Sequence, residues 1–240
     1  MTFKRILLIG DSFCAMRDKT TDWPIILGKL LGRKVKGEGY GGNAWWTNYR
    51  TLEEFSDKKH DTVLVVIHTE SSRLPNDFNI PINYGVLHSI VGSPNSEIKS
   101  PYIQNLAKNF YKSELFSLDF YDWAQAAWIK ELDNNLDFYA TIHIPAFDSV
   151  DLSQIKNGIV LRPSKEIRSL RELSGMEITE KKWFGPDIRR NHFSNHNNLK
   201  MAEAVASTIR QLGTHPGPHQ YFDNLDQWDF TKVSFTTLKI

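Results

Sequence analysis

Ser12, Asp187 and His192 are the residues of this 240-residue chain whose types and order suit nucleophilic chemistry. A serine hydroxyl is a weak nucleophile until a neighbouring base takes its proton. Neutral imidazole, with an ordinary pKa of about 6.5, is such a base at neutral pH. That imidazole needs an acceptor to hold its tautomer, a role Asp187 can fill. Ser12 directly follows Ile9-Gly10-Asp11, and His192 closes the segment Asp187-Ile188-Arg189-Arg190-Asn191-His192. Between them lies Gly39-Tyr40-Gly41-Gly42-Asn43, whose glycines let backbone N–H groups approach a reacting oxygen closely. Alone, Gly10-Asp11-Ser12 is an ordinary strand-end turn. Its weight comes from the three segments occurring together, in order.

The elements that must position these residues alternate between strand and helix. Arg5 to Ile9 is a short, branched apolar run, as expected of a strand buried on both faces. Asp22-Trp23-Pro24 starts a helix that Gly32 ends, and Arg33 to Glu38 is a weak second strand. Residues 44 to 57 are expected as a helix and Asp61 to His68 as the strongest strand. Residues 69 to 103 lack periodicity and read as an insertion. Residues 104 to 135 predict helix in two pieces, Phe138 to Ile144 a fourth strand and Gly158 to Leu161 a short fifth. A helix is expected over 164 to 173, and another from the Ser194 cap to about Leu212. This is the pattern of an α/β domain over 1–212 with a mostly parallel sheet of about five strands. Residues 213–240 read as a turn-rich C-terminal tail with a β-prone end, Lys232 to Leu238.

Composition narrows the function classes. With 29 Lys and Arg against 28 Asp and Glu, there is no electrostatic case for nucleic acid or an anionic membrane surface. No run approaches the ~20 apolar residues of a membrane span. The first apolar run is too short for a signal peptide, so a cytoplasmic protein is expected. The lone Cys14 excludes an internal disulfide framework and reads as a buried thiol.

The chain resembles the SGNH or GDSL hydrolases. Gly10-Asp11-Ser12 is similar to their first block and the glycine turn to their second. The segment around His192, followed by Asn197 and Met201-Ala202, is similar to their fifth. The resemblance implies a flavodoxin-like three-layer α/β/α sandwich and a serine esterase or deacylase acting through a Ser12 acyl-enzyme. It assigns His192 as base, Asp187 as its orienting partner, and the Ser12 and Gly42 N–H groups as oxyanion donors. No cofactor or metal is implied. Two blocks depart from the family. The third reads His68-Thr69-Glu70-Ser71-Ser72-Arg73, placing Glu70 where an asparagine donor is usual. An ionised carboxylate cannot donate to an oxyanion, which leaves Thr69, Ser71 or Arg73 to substitute. Asp187 lies five residues before His192, where three is usual, and Arg189 occupies the usual place. Both departures resemble phage-borne members, implying host cytoplasm or virion as the setting.

The expected substrate is a small-molecule or glycan acyl ester bound by Thr69, Glu70, Arg73, Trp45 and Trp46. Carbohydrate O-acetyl groups are suggested by the aromatics Tyr40, Trp45, Trp46, Trp183 and Phe184, whose commoner use is core packing. A non-enzymatic, virion-associated binding module on the same fold and an acyltransferase are the alternatives. His192 and His196 are spaced for one helix face, but no third metal ligand accompanies them.

Overall fold

Seven consecutive residues, Thr62–His68, form a strand with every side chain buried. A strand covered on both faces needs no alternation, and its β-branched content favours extended backbone. This strand, β3, lies between β1 (Arg5–Ile9) and β4 (Ala140–Pro145). The computed structural model describes residues 3–16, 20–37, 39, 44–53, 56–73, 101–113, 116–135, 137–176, 193–212, 214 and 218–228. Most of the 69 to 103 insertion and the β-prone 232 to 238 end lie outside them.

The remaining strands are β2 (Lys34–Lys36), β5 (Ile159–Arg162) and β6 (His219–Tyr221). Their order is β2-β1-β3-β4-β5-β6 with every pairing parallel. The helices are α1 (Trp23–Leu31), α2 (Trp45–Glu53), α3 (Pro101–Lys112), α4 (Leu118–Asn134), α5 (Leu170–Met176) and α6 (Asn195–Arg210). They flank the sheet, giving a flavodoxin-like α/β/α architecture. α1 packs with α6, while α2 and α4 meet through Trp45 and Trp128, whose rings lie 5.6 Å apart. Because the sheet is all parallel, every strand ends on the same edge.

Two sequence expectations shift. Among the described residues the sheet has six strands, the last supplied by the segment read as a tail. His219-Gln220-Tyr221 has no apolar pattern because an edge strand with largely exposed side chains needs none. The helix expected from 164 begins at Leu170. The Ser164 hydroxyl accepts from the N–H groups of Glu166 and Ile167, a local turn that competes with helix.

The start of β5 depends on α4. The Asp133 carboxylate accepts from the N–H groups of Lys156, Asn157 and Gly158 at 2.7, 3.1 and 2.6 Å. A Cβ on Gly158 would lie 2.7 Å from His143 Nε2. Gly158→Ala is therefore expected to destabilise by about 1–3 kcal/mol through overpacking. Equilibrium urea unfolding measures this, and His143→Ala in the same chain should relieve most of the added cost. Unchanged stability would refute the contact.

Candidate active site

β1 and β3 are neighbours, yet the chain leaves β1 for β2 on the opposite side. Such a reversal opens a crevice beyond the carboxyl ends of the two strands, the usual ligand position in open α/β sheets. The segments following these strands carry Ser12 and Thr69 to Arg73. Ser12 opens a 3-10 turn, Ser12–Cys14, immediately beyond β1.

Asp11 joins the two segments. Its Oδ1 accepts from the Phe13 N–H at 3.0 Å and so caps the Ser12 turn. Its Oδ2 accepts from Thr69 Oγ1 at 3.4 Å and faces Arg73 Nη1 at 3.4 Å. The Asp11 and Arg73 side chains are 0% and 4% exposed, which makes this a desolvated ion pair across the crevice. The glycine turn enters on the other flank of β1. Gly39 bridges Gly10 and runs so close that a Cβ would stand 1.8 Å from the Asp11 carbonyl oxygen. Only glycine fits there.

The segment after β3 is held through its carbonyls. Gln125 of α4 donates to Thr69 O at 2.7 Å, Trp45 Nε1 to Ser71 O at 3.3 Å, and Tyr111 of α3 to Ser72 O at 2.6 Å. Ser71 Oγ also donates to Asp122 of α4. Burial pushes the Tyr111 phenol well above its usual pKa, which keeps it a donor. Glu70 stands between two guanidiniums, with Arg73 Nε at 4.0 Å and Arg171 Nη1 at 3.8 Å. Both cations lie over the Phe147 ring, at 4.9 and 5.5 Å from its centroid. The carboxylate that replaces the expected donor thus has its charge balanced by two arginines. Arg73, a candidate oxyanion stabiliser by sequence, faces Asp11 and Glu70.

Trp45 is a core residue with its indole N–H committed to Ser71, and it stacks on partly buried Trp46 at 3.8 Å. Of the two uses open to these aromatics, Trp45 takes core packing, while Trp46 is partly buried against it. His196 directs Nε2 to the Gln227 carbonyl at 2.8 Å, fastening the segment after β6 to α6. Gly42, Asp187 and His192 lie outside the described residues, as do Tyr40, Trp183 and Phe184.

The described residue that follows His192 is informative. The ring of Phe193 lies 5.5 Å from that of Phe13, the residue after Ser12. Trp23 reinforces this junction: its Nε1 donates to Phe13 O at 2.5 Å, and its backbone N–H donates to Asn198 Oδ1 at 3.1 Å. The turn after β1 and the entry to α6 are one packed unit.

Beneath the crevice, His68 Nε2 and His143 Nδ1 are 2.9 Å apart, with the rings within 3° of coplanar. Burial, reinforced by the neighbouring His143, holds the His68 pKa well below the usual imidazole value. Burial also lowers His143, to about 4, against a smaller opposing pull from Asp133. Both rings are neutral in the fold but protonate near 6.5 when unfolded. Their contribution is complete above about 6.5 and is lost as pH falls toward 4. Unfolding free energy is expected to drop between pH 6.5 and 5 with a slope approaching roughly 2.7 kcal/mol per pH unit. Urea titrations across that window measure it, and a flat profile would contradict a neutral buried pair.

Fold and site together define a flavodoxin-like α/β protein with its polar cluster at the topological switch point. No family model, curated protein or solved structure matched the chain.

Sequence reasoning missed Asp11, Tyr111, Asp122, Gln125, Phe147 and Arg171. Asp11 had a local signal, an aspartate two residues before an N–H it caps. The others act across long sequence separations, which periodicity does not report.

Proposed function

We propose that the protein is a serine esterase or deacylase acting through a Ser12 acyl-enzyme. The observation that carries this reading is the Phe13–Phe193 contact, because each phenylalanine directly follows a residue the mechanism requires. Further support comes from the switch-point position of the Ser12 turn and from the close approach of Gly39. In this reading Ser12 Oγ attacks the ester carbonyl carbon while His192 takes its proton. The oxyanion is held by the N–H groups of Ser12 and Gly42. The carbonyl reforms as the alcohol leaves with the proton from His192, and water then releases the acid by the same steps in reverse roles. Asp187 orients His192. A glycan O-acetyl ester or another small acyl ester is the proposed substrate, and a phage-borne setting is proposed on the same resemblance.

A fluorophosphonate probe tests the reading. Covalent labelling mapped to Ser12, together with hydrolysis of an aryl acetate, supports it. The absence of both favours a binding module on the same fold. Two observations favour that second reading: residue 12 is only 5% exposed, and Glu70 occupies a donor's place.

A further inference from the structure

Arg171 differs from the other charged groups at the crevice. It lies in the first turn of α5, and its own N–H is anchored to the Ala146 carbonyl just beyond β4 at 2.9 Å. Its side chain is 59% exposed, yet its guanidinium is held over Phe147. Among the described residues this guanidinium makes no hydrogen bond, because Glu70 at 3.8 Å is beyond bonding distance. Arg73, on the same ring, is buried against Asp11. One cation of the cluster is therefore internal and structural, while the other is fixed in place with its donors facing solvent.

We propose that Arg171 is the specificity-determining residue of the Ser12 site and selects substrates bearing a carboxylate near the scissile ester. The proposal rests on the esterase reading and adds the substrate class. Glu70 already shows the chemistry, a carboxylate drawn to this guanidinium but too distant for the bidentate pairing that suits the two groups. A substrate carboxylate arriving from solvent can complete that fork. The four charged side chains Asp11, Glu70, Arg73 and Arg171 sum to zero, so a monoanion meets less repulsion from the two carboxylates than a phosphate dianion would.

Nitrophenyl butyrate and nitrophenyl hemisuccinate share a four-carbon acyl chain and differ by one terminal carboxylate. The native protein is expected to prefer the hemisuccinate by about tenfold in kcat/KM, the size of one charge-assisted hydrogen bond. The ratio should fall to about one in Arg171→Gln, invert in Arg171→Glu, and persist in Arg168→Gln, which removes a nearby exposed charge. In 1 M salt the preference should shrink. No preference in the native protein, or one that survives Arg171→Gln, overturns the assignment. If neither ester is turned over, calorimetry with monomethyl succinate and methyl butyrate separates the two failures. Tighter binding of the succinate that is lost in Arg171→Gln keeps the anion site and removes the esterase reading. Equal or absent binding removes the anion site.

Discussion

Ser12→Ala is expected to lower kcat/KM for an aryl acetate by at least about 10³-fold with the fold preserved. The alanine retains the backbone N–H that the mechanism assigns to the oxyanion. The Asp11 cap reaches Phe13 N–H, and neither it nor the Phe13–Phe193 contact involves the hydroxyl removed. What disappears is the proposed nucleophile. Residual turnover would come from positioning and oxyanion contacts alone, which is why the expected loss is large yet finite. Steady-state kinetics, fluorophosphonate labelling and circular dichroism on both proteins make the comparison. A loss smaller than tenfold in a folded variant would mean that Ser12 is not the attacking group.

The largest stability effect is expected at Asp11. In Asp11→Ala the Arg73 guanidinium stays buried and loses its 3.4 Å partner, keeping Glu70 at 4.0 Å as a weaker one. Removing one member of a desolvated ion pair costs about 3–5 kcal/mol because the remaining charge cannot rehydrate. The same substitution removes the cap on the Ser12 turn, worth about 1 kcal/mol more. For a chain of this length each kcal/mol moves Tm by roughly 2–4 °C, so the midpoint should fall by roughly 10 °C or more. The double variant Asp11→Ala/Arg73→Met is the decisive comparison. With the buried guanidinium gone as well, it should be more stable than Asp11→Ala alone. If it is less stable, the pair contributes mainly by packing, and the electrostatic account of the crevice is wrong.

The parallel α/β sheet was legible because buried strands announce themselves locally. Arg5 to Ile9 and Asp61 to His68 are apolar runs bounded by polar or glycine residues, and they became β1 and β3 with little change. β6 was not legible, since Gln220 and its neighbours contribute backbone pairing to Arg162 and Leu161 and little apolar surface. The same divide runs through the site. Ser12 could be placed because it lies in the turn just beyond a strand. Thr69, Glu70 and Arg73 could be placed beside it, but their partners could not. That Glu70 would sit between Arg73 and Arg171 over Phe147 depends on loops from three different strands converging. The sequence left the role of Trp45 open for a related reason. Tryptophan suits both a ligand cleft and a core, and only the Ser71 carbonyl and the Trp46 and Trp128 rings decide between them.

Among the described residues the sheet ends in two very short strands, each three residues long: β2 with Lys34 and Lys36, and β6 with His219. An outermost strand offers an open row of backbone groups to any other chain, and length is what makes that row a good template for fibrous self-association. Here one border is guarded by lysines, and the other by a strand too brief to recruit a neighbour. β6 is fastened from behind by the His196 bond to Gln227 and by Phe222 against Trp228. A chain cut at residue 212 would lose that guard and present the hydrophobic β5 as its border, exchanging a protected molecule for an adhesive one.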